Sequence, residues 1–271
     1  MRGLFVCDID DTILPRGREI SEATKKAVRL AMEHDYGFTL ATGRSFYVVR
    51  KYADELGIQI PVITCNGASV YDYTQDAPII EHPITAVILE ELFSEFLANR
   101  CDFVAYCSHG IYFSKDSKRL DFFHRYNDGV CEEWKTPLLE ITKVNMQEVI
   151  RDNRFTKILL CNPSEALAQK LLQDSRLKVV PSMADVLDIM PCGITKGNAI
   201  VSLANHFHVP LSDVYCFGDE ENDISMFTCG CNGVAMGNAS DYVKSFATRV
   251  TETCIEDGVA KEITRVISSL R

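Results

Sequence analysis

The stretch that decides the fold is Leu4-Phe5-Val6-Cys7-Asp8-Ile9-Asp10-Asp11-Thr12, near the start of the 271-residue chain. Its first four residues form an apolar run without polar alternation, which is typical of a parallel strand buried on both faces. Asp8 and Asp10 follow at the point where this strand ends. Because they are spaced i and i+2, both carboxylates can point into one crevice. The sequence therefore predicts an acidic strand terminus.

The same order of elements returns farther along the chain. Ser21 is a candidate N-cap for a helix, and residues 38–41 form a second apolar run, which together make a β-α-β unit. Residues 214–217 form another strand, which ends in Gly218-Asp219 and leads to Asn222-Asp223. Strands that alternate with helices predict an α/β fold with a doubly wound parallel sheet. In such a fold the ligand crevice lies beyond the carboxyl ends of the strands.

The middle of the chain has a different pattern. Amphipathic helices alternate there with strands that pair through hairpins, such as Phe103–Tyr106 and Ile111–Phe113 on either side of Ser-His-Gly. This pattern predicts an α+β domain inserted into the parallel one. We therefore expect a discontinuous core domain, formed by residues 1–82 and 191–271, and an inserted domain of residues 83–190.

Composition and charge limit the possible partners. Hydrophobic residues make up 46% of the chain and charged residues 24%, as in ordinary globular proteins. The formal net charge of -10 repels polyanions, so we do not expect nucleic acid as a partner. We expect no membrane span, because the longest uncharged stretches are short. We expect a cytoplasmic location with reduced cysteines, because no secretory signal is visible. The pattern leaves the oligomeric state open, because it does not separate core from interface.

Acidic residues also gather at a second predicted strand end, where Asp219 and Asp223 lie. Crowded carboxylates are costly unless a cation or a proton intervenes, and Mg²⁺ prefers oxygen ligands of this kind. An Asp-rich strand end is also typical of a polar turn or a helix cap. Four motifs nevertheless occur in order at strand ends or helix starts: Asp8-x-Asp10-x-Thr12, Thr42-Gly43-Arg44, Lys196-Gly197 and Gly218-Asp219-x-x-Asn222-Asp223. Their coincidence favours a Mg²⁺ site shared by the two acidic motifs.

These motifs resemble those of the haloacid dehalogenase superfamily of aspartate-nucleophile phosphohydrolases, specifically its Cof-like sugar-phosphatase branch with a large inserted α/β cap. The similarity covers nearly the whole chain, because residues 64–68, 233–239 and 257–260 also resemble recurring sequences of that branch. One departure is Asp11, where many members carry glycine. The resemblance implies a Rossmann-like catalytic core and a cap that selects the substrate.

The resemblance also implies a role for each motif residue. Asp8 would be the nucleophile that forms an aspartyl-phosphate, and Asp10 the general acid and base. Lys196 would neutralise charge at the nucleophile and the transferring phosphoryl group, and Thr12 would steady the loop. The phosphate contacts would be Thr42, Gly43, Lys196 and Asn222, and the metal ligands Asp8, the Asp10 carbonyl, Asp219 and Asp223.

The resemblance predicts a Mg²⁺-dependent phosphomonoesterase that acts on small phosphorylated metabolites, with hexose phosphates as the expected class. The expected leaving-group contacts lie at the core rim and in the last strands of the cap: Arg44, Asn66, Ser182, Asp185 and Asp188. Two alternatives stay open, namely a phosphosugar mutase similar to phosphomannomutases and a non-catalytic sugar-phosphate-binding protein. A nucleophile beside an acid favours turnover, because a pure binder needs neither.

Overall fold

The computed structural model describes residues 1–183 and 185–269. The chain divides into two compact units, one formed by Met1–Ile79 with Thr195–Arg271 and the other by Ile80–Ile194. The second unit extends slightly beyond the predicted range of 83–190, and one reason is that Pro191 still pairs with Leu177 in its sheet. Each unit has its own hydrophobic core.

The elements are numbered in chain order. The strands are β1 (Gly3–Cys7), β2 (Tyr36–Leu40), β3 (Val62–Thr64), β4 (Ser69–Asp72), β5 (Ala77–Glu81), β6 (Asp102–Cys107), β7 (Gly110–Phe113), β8 (Leu138–Glu140), β9 (Phe155–Cys161), β10 (Leu177–Met183), β11 (Val186–Pro191), β12 (Val214–Gly218), β13 (Asn232–Ala235) and β14 (Arg249–Val250). The α-helices are α1 (Glu22–Glu33), α2 (Phe46–Glu55), α3 (Ala86–Ala98), α4 (Leu120–Asp128), α5 (Met146–Asp152), α6 (Glu165–Leu172), α7 (Lys196–His206), α8 (Ile224–Phe227), α9 (Asp241–Lys244) and α10 (Gly258–Ser268).

The first unit is built on a five-stranded parallel sheet in the order β14-β13-β12-β1-β2. Strand β1 is internal, with Cys7 in register with Phe217 on one side and Leu40 on the other. Parallel strands end at the same sheet edge, so the residues after β1, β12 and β2 become neighbours. The predicted parallel sheet is confirmed.

Burial on both faces explains the apolar composition of β1. Phe5 and Cys7 belong to the core that also contains residues of α1 and α10, whereas Leu4 and Val6 alternate with them and are also fully buried. Helix α1 begins after the predicted N-cap Ser21, whose hydroxyl oxygen accepts the N–H of Thr24 at 3.0 Å. The helices thus cover the sheet and leave its carboxyl edge for polar residues.

The second unit contains a six-stranded sheet in the order β10-β11-β9-β6-β7-β8, antiparallel except for the pair β7 and β8. The predicted hairpin is present where β6 turns into β7 and Cys107 pairs with Gly110. Residues of α3, α5 and α6 share a core with this sheet. The predicted α+β character is confirmed. Among the residues described, no helix has the length and apolar character needed to cross a membrane.

Candidate active site

The sequence motifs of the first unit meet at the carboxyl edge of the parallel sheet. Asp8 directly follows β1, and its N–H donates to the Phe217 carbonyl of β12 at 2.9 Å. Asp219 directly follows β12. Thr42 lies just beyond β2, where its N–H donates to the Ile63 carbonyl at 2.9 Å. Three motifs that are far apart in the sequence therefore share one edge.

Lys196, the first residue of α7, adds a buried cation to this edge. Its Nζ donates to Asp8 Oδ1 at 2.6 Å and to Asp223 Oδ1 at 2.7 Å, and its side chain is fully buried. Burial opposes its charge, but Asp223 and Asp8 outweigh this effect and raise the pKa of Lys196. The lysine is therefore a fixed ammonium ion beside the predicted nucleophile.

Asp223 ties this cation to the loop after β12. Its Oδ2 accepts the backbone N–H groups of Asp219 at 2.9 Å and Glu220 at 3.0 Å. The close approach also explains Gly218, since a Cβ there would lie 2.5 Å from the Asp223 carboxyl group. One carboxylate thus holds both Lys196 and the backbone that presents Asp219.

Asp219 is held from two other loops. Thr12 Oγ1 donates to Asp219 Oδ1 at 2.6 Å, and Asn238 Nδ2 donates to Asp219 Oδ2 at 3.3 Å and to the Asp11 carbonyl at 2.9 Å. Burial, with the nearby charges of Asp223 and Glu220, raises the pKa of Asp219 to about 7 although the Thr12 hydrogen bond lowers it. Asn238 was not among the predicted site residues. Its signal in the sequence is a Gly-Asn turn directly after an apolar strand.

Three buried carboxylates face one another at this site. One carboxylate oxygen from each of Asp8, Asp219 and Asp223 lies within 4.8 Å of the other two. Burial also raises the pKa of Asp8 well above its ordinary range, because Lys196 offsets the effect only in part. Three carboxylates against one ammonium ion leave negative charge that a divalent cation can balance, and hard oxygen donors suit such a cation.

The predicted phosphate contacts lie together beside this cluster. Asn222 Nδ2 donates to Asn66 Oδ1 at 3.1 Å, and the Asn66 N–H donates to the Thr42 carbonyl at 2.9 Å. A Cβ at Gly43 would lie 3.1 Å from Asn66 Oδ1, so glycine lets the two loops approach closely. Their contacts with a phosphate group stay a prediction.

Arg44 and Asp10 form a bidentate ion pair at the rim. Arg44 Nη2 donates to Asp10 Oδ1 at 2.5 Å, and Arg44 Nε donates to Asp10 Oδ2 at 2.9 Å. The Asp10 side chain therefore stands apart from the three-carboxylate group, and its predicted metal ligand is the backbone carbonyl. The metal contact of Asp10 and the leaving-group contact of Arg44 both stay predictions.

The three predicted contacts of the inserted domain occupy different environments. Ser182 on β10 is exposed, and Asp185 is exposed in the turn before β11 at a φ of 59°. Asp188 is buried on β11 and forms an ion pair with Lys157, whose Nζ lies 5.9 Å from the centroid of the Tyr106 ring. Their contacts with a leaving group stay predictions.

Comparison with known proteins identifies the family of this chain. The family model described as haloacid dehalogenase-like hydrolase matches residues 5–263, and the chain belongs to this family. The chain is 25% identical to the 5-amino-6-(5-phospho-D-ribitylamino)uracil phosphatase YcsE of Bacillus subtilis, over 96% of this chain and 94% of that one. It is 27% identical to the chloroplastic endoribonuclease YBEY of Arabidopsis thaliana over 96% of its own length, but spans only 45% of that relative.

Solved structures give the same fold. The subclass IIB sugar phosphatase BT4131 of the haloacid dehalogenase superfamily has a TM-score of 0.79 and 22% identity, covering 97% of this chain and 98% of that one. The predicted family, Cof-like branch and fold class are confirmed. The protein is accordingly a phosphatase of the haloacid dehalogenase type, an enzyme class that generally uses a divalent metal.

Proposed function

We propose that this protein is a Mg²⁺-dependent phosphomonoesterase that hydrolyses small phosphorylated metabolites, with hexose phosphates as the main class, through an aspartyl-phosphate on Asp8. The observation that carries this proposal is the buried ammonium of Lys196, 2.6 Å from Asp8 and 2.7 Å from Asp223. A phosphoryl group brings negative charge to the nucleophile, so a fixed cation there stabilises the transition state.

Asp8 would attack phosphorus, forming an oxygen–phosphorus bond while the bond to the leaving alkoxide breaks. Asp10 would supply a proton to that alkoxide. In the second step Asp10 would take a proton from a water molecule whose oxygen attacks phosphorus, which releases phosphate and restores the Asp8 carboxylate. Dividing one displacement into two makes each step easier. Asp10 gives its proton to the alkoxide in the first step and regains one from water in the second.

Asp8, Asp219 and Asp223 would hold Mg²⁺, together with the Asp10 carbonyl. The ion, when bound, would offset negative charge on the phosphoryl oxygens during transfer. The chain supports this assignment through Thr12 and Asn238, which hydrogen-bond to the two oxygens of Asp219 and so fix its orientation. Thr42, Gly43 and Asn222 would contact the remaining phosphoryl oxygens.

The expected substrate class follows from two considerations. YcsE, a relative of similar length, acts by its name on a compound with a phosphorylated ribityl chain, which is a sugar-derived phosphate monoester. The inserted unit Ile80–Ile194 is large enough to have its own core, and we assign to it the selection of the leaving group. Such a protein would act on soluble metabolites in the cytoplasm.

Phosphate release from a panel of sugar phosphates, with Mg²⁺ and with a chelator, tests the proposal. We expect Mg²⁺-dependent release that Asp8→Asn lowers by at least about 10³-fold while circular dichroism shows an unchanged fold. Asp35→Asn is the matched control, because Asp35 is exposed and its φ of 64° suits asparagine. Full activity of Asp8→Asn would show that the nucleophile is wrongly assigned.

The same assay separates the two alternatives. A mutase would interconvert phosphosugar isomers and require a bisphosphate activator, so free phosphate without isomer formation excludes it. Tight binding of a sugar phosphate with no release in Mg²⁺ would identify a binding protein and overturn the proposal.

A further inference from the structure

We propose that Arg44 is a positioning residue for Asp10, which fixes the direction of that carboxylate for proton transfer, instead of contacting the leaving group. This inference rests on the proposed function, because it assigns the general acid and base to Asp10. The inference is supported by two hydrogen bonds between the same two side chains. Arg44 Nη2 donates to one Asp10 carboxylate oxygen at 2.5 Å, and Arg44 Nε donates to the other at 2.9 Å.

The shape of guanidinium explains why arginine suits this position. Its N–H donors lie in one plane and match both oxygens of a carboxylate, so a bidentate pair fixes the plane of the carboxylate as well as its distance. A lysine ammonium is a single point charge and leaves the carboxylate free to rotate. Asp10 needs such a constraint, because its side chain is 57% exposed.

Arg44 is itself held from several directions. The guanidinium carbon lies 5.3 Å from the centroid of the Tyr52 ring on α2, and Nη1 donates to the Tyr52 hydroxyl oxygen at 3.2 Å. In the backbone, the Arg44 N–H donates to Thr42 Oγ1 at 3.2 Å and its carbonyl accepts the Cys65 N–H at 2.9 Å. The side chain thus connects Asp10 to a helix and to the phosphate-contact loop.

The pair leaves Asp10 able to do its proposed chemistry. Each carboxylate oxygen has two acceptor sites, so an oxygen that accepts one N–H from Arg44 keeps a second site. That site can hold the proton that Asp10 gives to the alkoxide in the first step and takes from water in the second. A carboxylate without this pairing would sample many orientations, and few would point at the reacting oxygen. Loss of Arg44 should therefore slow both proton-transfer steps without weakening substrate binding.

A leaving-group contact would behave differently. Removing a direct contact with the alcohol weakens binding of substrates that make the contact and raises KM. It has no reason to slow hydrolysis of the aspartyl-phosphate, since the alcohol has then departed. The two roles can therefore be separated by substrate and by step.

The test compares phenyl phosphate with 4-nitrophenyl phosphate, which are similar in size, although phenolate is the poorer leaving group. For Arg44→Ala we expect kcat/KM to fall about 100-fold with phenyl phosphate and about 10-fold with 4-nitrophenyl phosphate, because a poorer leaving group needs the acid more. Slow hydrolysis of the aspartyl-phosphate should also give a burst of about one 4-nitrophenol per enzyme. Arg44→Lys should restore little of the loss.

Arg50→Ala is the matched control. Arg50 also lies over a tyrosine ring, 5.6 Å from the centroid of Tyr73, and forms an ion pair with Asp76 at 2.9 Å. It is outside the site, so both esters should keep their wild-type kinetics.

The outcomes are distinct. If wild-type protein releases phosphate in Mg²⁺ from neither ester and from no sugar phosphate of the panel, the proposed function fails. Two results with an active wild-type protein would overturn the positioning role. In the first, Arg44→Ala lowers kcat/KM equally for both esters and gives no burst. In the second, Arg44→Ala raises KM and leaves kcat unchanged.

Discussion

Two buried lysine–aspartate ion pairs, one in each unit, differ in the balance of their charges. Lys196 has a fully buried side chain and contacts both Asp8 and Asp223, and its neighbour Asp219 adds a third carboxylate. Lys157 is similarly buried, with 5% of its side chain exposed, and pairs with Asp188. The first site gathers three carboxylates around one ammonium ion, whereas in the second unit Lys157 forms an ion pair with Asp188.

This difference predicts a reactive site around Lys196 and a structural role for the pair of Lys157 and Asp188. A buried ion pair of balanced charge contributes little net stability, yet breaking it leaves an uncompensated buried charge. Excess buried carboxylate costs stability, and proteins retain such an arrangement where a metal or substrate supplies the missing charge. The pairing of Lys157 with Asp188 therefore predicts stability effects, and the cluster around Lys196 predicts effects on turnover.

Replacing Lys196 tests the reactive half of this comparison and has the largest expected effect. Lys196→Met should lower kcat/KM for a sugar phosphate about 10⁴-fold, or roughly 5.5 kcal/mol, because the cation beside Asp8 is lost while charge builds up on phosphorus. Steady-state phosphate release measures this. Lys157→Met is the reference variant. If folded Lys196→Met and folded Lys157→Met had equal specific activity, the proposed distinction between a reactive and a structural lysine would be wrong.

Replacing Lys157 tests the structural half. Lys157→Met should lower the free energy of unfolding by about 3 kcal/mol, because Asp188 keeps a buried charge without its lysine. The double change Lys157→Met with Asp188→Leu should recover most of this loss, since apolar residues often replace a buried pair at little cost. Urea unfolding measures both. A double variant that stays stable but loses turnover would instead support the predicted leaving-group contact of Asp188.

The charge excess around Asp219 predicts a dependence on pH and metal. Its folded pKa of about 7 lies above the ordinary value of 3.8, so the folded state binds more protons between these values. The free energy of unfolding in chelator should thus fall as pH rises from 4 to 7, and Asp219→Asn should be more stable than wild type at pH 8 by about 2 kcal/mol.

Thermal unfolding with and without Mg²⁺ checks this expectation. Mg²⁺ should raise the melting temperature of wild type more at pH 8 than at pH 5, and should have little effect on Asp219→Asn. A Mg²⁺ response of equal size at both pH values, or in the variant, would contradict the assignment of Asp219 as a ligand.

The acidic edge of the parallel sheet was predictable because its residues follow strands with strong local signals. The apolar run before Asp8 and the strand before Asp219 predict parallel strands, and parallel strands bring their carboxyl ends together whatever their separation in sequence. The sequence did not predict two short elements that lack such signals. They are the three-residue strand β8, which follows Pro137, and the seven-residue helix α5. Elements of this length depend on tertiary packing more than on local preference.

Side-chain partners were less predictable than positions. The sequence did not predict that Arg44 pairs with Asp10 or that Asp188 is buried with Lys157, and these pairs do not test the expected contacts of either residue with a leaving group. Both are partnerships between residues more than 30 positions apart in the sequence, separated by 34 and 31 positions respectively. Pattern and spacing place a residue on an element, but the choice of partner depends on how loops and strands pack.

The hydrogen bond from Thr12 to Asp219 allows the smallest and most selective test of the acidic cluster. Thr12→Val keeps the shape of the side chain but removes the hydroxyl that donates to Asp219 Oδ1 at 2.6 Å. We expect about tenfold weaker activation by Mg²⁺, because groups that orient a metal ligand influence affinity on this scale, with kcat at saturating Mg²⁺ nearly unchanged. Thr12→Ser retains the donor and should behave like wild type. Weaker activation in the serine variant as well would show that the methyl group, and thus packing, governs the effect, whereas a loss confined to valine identifies the hydroxyl as the group that orients Asp219.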